Sequence, residues 1–322
     1  MGKHSRPANQ LAEPGATPGL APDAALPGAF PGALPGALET QLPEYRAAVD
    51  DLVTEASRRP ALADPPAAAA FVGERLGYHP FAPVLSRLNG GPPAVAQHLA
   101  AELRRFRPSD RGTGDLWSFA RIVLLSQIDT AWWSETTPFG RDADVTGSGD
   151  LVDLAPLQAA GLLRFEYREQ SAGLAGRARD WARRQVLPDR RPRTAGLRFT
   201  RSRPAVVALL NQVAADLAAA RPDAPQPWVT SLVRSVEHQH RLRSLGYAAV
   251  LPSSHCAGYA CDVEMRWFRR FDPDGVLARL LLEREQAGQA NVIDEGQVWH
   301  LCVSPHAHAE LQAAYDAELK GR

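Results

Sequence analysis

The sequence predicts an α+β protein: a mainly helical N-terminal region and, after it, a small antiparallel-sheet domain. Three observations predict it. Helix-forming stretches punctuated by Pro and Gly fill residues 41–176, as in Ala94–Phe106 and Leu116–Trp133. An arginine-rich connector over 177–203 separates these stretches from the C-terminal part of the chain. From residue 204 to 322, helical periodicity mixes with a strand-like alternation, in which Val298, His300 and Cys302 oppose Trp299, Leu301 and Val303.

The 322 residues suffice for about two domains. Acidic and basic residues balance at 36 each, which excludes the cationic surplus of a non-specific nucleic-acid binder. At 45% hydrophobic the chain is not wholly disordered, and its three cysteines cannot all pair, so it is no disulfide scaffold. Apolar runs such as Ile122–Leu125 fall far short of the ~18 residues of a membrane span. Lys3, His4 and Arg6 have no apolar stretch behind them, so no secretory signal is expected. The expectation is a cytoplasmic protein with no membrane or nucleic-acid partner.

Residues 1–40 repeat Pro-Gly at close intervals, which neither helix nor strand propagates through; a disordered tail is expected. In the helical region, Trp117, Trp132 and Trp133 are read as core, with a ligand pocket as the alternative. No phosphate-cradling loop, nucleophile elbow or metal-spaced cluster occurs there. The connector holds ten arginines against Asp180 and Asp189 and is read as a solvated segment paired with acidic neighbours rather than an anion-binding surface. Beyond it, Val206, Leu209, Leu210, Val213 and Leu217 mark one helical face. Further helices are expected over Val236–Ser244, stopped by Gly246, and over Gly275–Ala287, capped by Asp274. Ser304-Pro305 opens a last helix to about Lys320.

Three polar positions suit a metal: His255, Asp262 seven residues on, and His300 in the strand. Imidazole and carboxylate are ligands for a divalent ion of zinc type, and three protein ligands leave a fourth position for water. Alone, such a pair plus a distant histidine is a weak signal. The full string is Ser253-Ser-His255-Cys-Ala-Gly258-Tyr-Ala260-Cys-Asp262. It reads S-x-H-x-x-G-x-A-x-D and resembles the signature of the zinc D-alanyl-D-alanine carboxypeptidases and dipeptidases, which share the hedgehog-type fold. Upstream, Ser231-Leu-Val-Arg234-Ser235-Val-Glu-His-Gln239 is similar to the family's S-x-x-R-S-x-x-x-Q segment; downstream, Trp299-His300 is similar to its Trp-His ending. The resemblance covers about residues 200–310.

The resemblance implies that His255, Asp262 and His300 hold Zn2+, that Arg234 faces the substrate carbonyl, and that Gln239 and Ser253 support them. The family's general base would stand at position 297, which here is Gln297. An amide cannot take the proton. Glu295 is the preferred substitute; loss of the reaction comes next, and Glu264 is the third choice. Cys256, Cys261 and Cys302 are read as small buried residues rather than ligands, and His238, His240, His306 and His308 as helix or loop residues. The expected function is a zinc-dependent hydrolase of a small peptide or amide. The alternative is a non-catalytic zinc-containing, peptide- or peptidoglycan-fragment-binding module. A third reading makes the helical region an interaction domain.

Overall fold

A computed structural model describes residues 36–108, 114–171 and 191–319. Most of the Pro-Gly segment lies outside the described residues. At its end the chain is already helical, α1 (Gly36–Glu39), with Leu38 buried. The helices α2 (Leu42–Ser57), α3 (Pro65–Leu76), α4 (Phe81–Leu85), α5 (Gly91–Arg105) and α6 (Leu116–Trp132) come next. Asp64 caps α3 through Ala67 N, and Asp115 caps α6 through Trp117 N and Ser118 N. α6 is apolar almost all round, as a helix covered on both sides must be. One side packs with Tyr45, Leu99 and Leu103; the other lies against the sheet.

The chain continues through α7 (Asp142–Gly147), β1 (Val152–Asp153), α8 (Leu154–Ala159) and β2 (Glu166–Tyr167). After β3 (Arg201–Ser202), which pairs with β1, come α9 (Pro204–Ala220), β4 (Trp228–Ser231), α10 (Val236–Ser244), α11 (Ser254–Ala257) and β5 (Ala260–Glu264). The chain closes with α12 (Val276–Gln286), β6 (Ala290–Asp294), β7 (Val298–Val303) and α13 (Pro305–Glu318). The main sheet has the order β2-β4-β5-β7-β6. It is antiparallel except at its edge, where β2 runs parallel to β4. The α+β class is therefore as expected.

Alternation along the strands divides the sheet into two faces. Cys261, Val263, Val292, Leu301 and Val303 pack with Leu209 of α9, Leu277 of α12 and Leu311 of α13. The opposite face carries Asp262, Asn291, Ile293 and His300, and α6 lies over it. The β5–β7 register sets Asp262 directly opposite His300, and the β6–β7 register sets Ile293 beside it. Opposed residues on one face have side chains within reach of each other.

The helices over Val236–Ser244 and from Pro305 match the expectations, the latter capped by Ser304 through Ala307 N. The cap of α12 differs. Asp272, not Asp274, accepts from Val276 N at 2.9 Å and Leu277 N at 2.8 Å, because Gly275 takes a positive φ of 66° and turns the chain back over the helix start. Asp274 instead pairs with Arg221. Of the arginine-rich connector, the part before residue 191 lies outside the described residues. Arg198 pairs with Asp142, Arg201 donates to the carbonyls of Val145, Thr146, Ser148 and Leu151, and Arg203 donates to Ala257 O. These arginines bind the protein itself, Arg198 through an acidic side chain, Arg201 through backbone carbonyls, and Arg203 through a carbonyl and Asp150.

Candidate metal centre

His255, Asp262 and His300 each offer one ligand atom, and the three atoms lie within 4.8 Å of one another. Local structure brings them there. Ser253 opens the single turn α11, and Gly258 at φ 80° reverses the chain from that turn into β5. A Cβ at Gly258 would meet Arg203 and Phe139 at 3.3 Å, so the glycine serves both the turn and the close approach. β5 then delivers Asp262, and the register with β7 delivers His300.

Both rings are anchored from behind. His255 Nδ1 donates to Leu232 O at 2.7 Å, which turns Nε2 toward Asp262 Oδ1 at 3.0 Å. His300 Nε2 donates to Asp129 Oδ2 at 2.9 Å, which turns Nδ1 toward the same Asp262 Oδ1 at 3.1 Å. A carbonyl only accepts, so the His255 proton is committed to Nδ1. Burial, reinforced by Arg234, pushes the His255 pKa down to about 4, so the ring is neutral. Its Nε2 lone pair therefore faces a carboxylate oxygen with no hydrogen between them. A cation resolves that juxtaposition, and the group could hold a metal ion. Burial disfavours a charge on His300, but hydrogen bonds to Asp129 and Asp262 outweigh it and lift its pKa to about 10. Metal and proton compete for that Nδ1. The three residues are only 3%, 5% and 6% exposed, so a metal here would be largely shielded from water.

Arg234 lies alongside, its Nη2 on Asp262 Oδ2 at 2.8 Å, its Nε on Ser231 Oγ at 2.8 Å and its Nη1 on Gln239 Oε1 at 3.2 Å. Gln239 is fixed in turn by Val250 O. The S-x-x-R-S-x-x-x-Q segment is thus one hydrogen-bonded unit. The hydroxyl that reaches the centre belongs to Ser254, 2.9 Å from Asp129 Oδ2, while Ser253 makes no side-chain cap bond to its own turn.

The two substitute carboxylates differ. Glu264 accepts from Trp267 N and Phe268 N and closes the turn after β5, so it is committed to backbone. Glu295 is half-buried and lies within electrostatic reach of Asp262, His300, Arg234 and Asp129; burial and Asp262 lift its pKa to about 7. Gln297 uses its backbone carbonyl to accept from Met265 N and Arg266 N.

Cys256, Cys261 and Cys302 are free and buried, and burial pushes all three thiols up, Cys256 to about 11. They are not primed as thiolates. His240 and His306 are exposed; His238 and His308 are half-buried, His238 edge-on to Phe199 and His308 edge-on to Trp133 and Tyr259. Trp117 is core. Trp133 stacks on Tyr259 at 3.4 Å and donates to Val303 O, so it fastens the helical layer to β7.

Sequence reasoning missed Asp129, Ser254 and Asn291. A signal for Asp129 existed: it is an acid in the apolar run of α6, where a charge is tolerated only if paired. No helix among the described residues is long and apolar enough to cross a membrane. No family model, curated protein or solved structure matches the chain.

Proposed function

We propose that the chain is a zinc-dependent hydrolase of a small peptide or amide, resembling the D-Ala-D-Ala peptidases. The observation that carries the reading is the convergence of His255 Nε2, Asp262 Oδ1 and His300 Nδ1, each ring held from behind. A zinc-type ion bound there supplies a Lewis acid and lowers the pKa of a coordinated water. Arg234, preset by Asp262, Ser231 and Gln239, faces the negative charge that develops on the substrate oxygen. Glu295 accepts a proton and returns it to the leaving amine, a role supported by its electrostatic interaction with Asp262 and His300 and by the commitment of Glu264 to backbone.

A second reading is a non-catalytic metal-containing module that binds a peptide or peptidoglycan fragment. Gln297 at the expected base position and the near-complete burial of the three ligands favour it. One experiment separates the two: metal content of the purified full chain, then hydrolysis assays on small peptides that include D-amino-acid dipeptides. Stoichiometric zinc with turnover supports the enzyme. Stoichiometric zinc with peptide binding and no turnover supports the module. Absence of retained metal overturns both.

A further inference from the structure

We propose that Asp129, on helix α6, is the positioning residue of the metal centre: its carboxylate fixes the His300 ring so that Nδ1 faces Asp262 and His255. The inference rests on the metal reading and adds to it a residue from outside the segment that carries the ligands. Asp129 is 1% exposed and accepts from three donors at once. Asn291 Nδ2 reaches its Oδ1 at 2.8 Å; Ser254 Oγ and His300 Nε2 reach its Oδ2, each at 2.9 Å. Its partners are themselves held. Arg46 of α2 donates to Asn291 Oδ1 at 3.0 Å, which settles the amide orientation, and Arg46 also pairs with Glu285 of α12 at 3.0 Å.

An acid suits this set of partners. All three donate, and only a carboxylate accepts on both oxygens. An amide at position 129 would turn its NH2 either on Asn291 or on Ser254 and His300. A carboxylate behind a ligating imidazole fixes its tautomer and strengthens it as a ligand, an effect typically of about 10–100-fold in metal affinity. Helix α6 therefore completes the centre rather than merely covering the sheet, and the helical layer and the ligand strands share one hydrogen-bonded relay, Arg46–Asn291–Asp129–His300.

The test is titration of the full-length protein with Zn2+ and with Co2+, whose visible spectrum reports ligand geometry. Wild type, Asp129→Asn and Ser254→Ala are compared, with the metal-free melting temperature as the control for folding. Asp129→Asn should bind either metal about 10–100-fold more weakly and change the Co2+ spectrum. Ser254→Ala, a smaller lesion on the same carboxylate, should move the spectrum in the same direction and keeps the test decisive where Asp129→Asn does not fold. Unchanged affinity and spectrum in the folded variant, with only a lower metal-free melting temperature, would make Asp129 a packing residue and overturn the inference. Failure of the wild type to bind metal would instead strike the proposed function itself.

Discussion

On one face of the five-stranded sheet, Val263, Val292 and Leu301 meet α9, α12 and α13 through apolar side-chain contact, with one hydrogen bond from Val292 N to Glu285 Oε1 of α12. On the other, Asn291 and His300 meet α6 through Asp129, and Asp262 joins them through His300. The first face is stabilised by area removed from water, at roughly 25 cal/mol per Å2, and any well-packed side chains of similar volume would serve. The second carries groups whose burial costs free energy unless each is partnered. Asp129, Asn291, Ser254 and Arg46 supply partners on the outer side of that cluster. On the inner side, Asp262 accepts from Arg234 and from His300 Nδ1, and the His255 lone pair faces the same Asp262 oxygen as His300. The three groups could hold a metal ion, which would have to displace the proton of His300 Nδ1.

The largest effect should come from removing a ligand. His255→Ala or His300→Ala should lose the stoichiometric zinc expected of the wild type after dialysis against a mild chelator, because two remaining ligands hold the ion poorly. Elemental analysis measures it, and a full equivalent retained by both variants would erase the contrast between the faces. The next effect is kinetic. Glu295→Gln should leave zinc bound and lower kcat by about 10²–10⁴, the usual share of general acid–base catalysis. Unchanged turnover would remove Glu295 from the mechanism.

On the apolar face the expected effect lies in stability. Leu277 is fully buried between α12 and the sheet. Leu277→Ala should cost about 2–5 kcal/mol in denaturant unfolding through lost contacts and a residual cavity. Its zinc affinity should be that of the wild type. A coupled loss of affinity would show that the two faces do not act independently.

What was legible in the sequence is what depends on local contacts. Helix α10 and its stop, strand β7 and the cap of α13 are set by residues a few positions apart, so periodicity and capping chemistry find them. The segment from Ser253 to Asp262 is also local: a turn, a positive-φ glycine and a strand place His255 and Asp262 together. His300 is joined to them by register, which one sequence does not display. Asp129 is out of reach because its link to His300 spans 171 residues and depends on how α6 lies on the sheet. The motif singles out Ser253 rather than Ser254 because the direction of each hydroxyl depends on the backbone of a single helical turn. Nearness in sequence points to Glu295 as a substitute base; its electrostatic interaction with Asp262 depends on the path of the β6–β7 connection, which the sequence does not show.

The smallest effect separates the two faces most directly, because it concerns a second buried aspartate. Asp272 is 3% exposed, as hidden as Asp262, yet it lies at the start of α12 against the apolar core. Its two oxygens accept from Val276 N and Leu277 N, donors that the first turn of a helix cannot use internally. This carboxylate is satisfied by the chain alone, and the positive end of the helix dipole favours its charge. Asp272→Ala should therefore cost about 1 kcal/mol, the ordinary value of a lost cap, by denaturant unfolding. The cost should be the same with and without added zinc, apart from the uniform stabilisation that any native-state ligand confers. Asp262→Ala should behave otherwise, since removing it abolishes the zinc-dependent part of the stability. If both variants responded to zinc alike, burial alone would not distinguish the two aspartates, and the cation assigned to the polar face would have no stabilising role there.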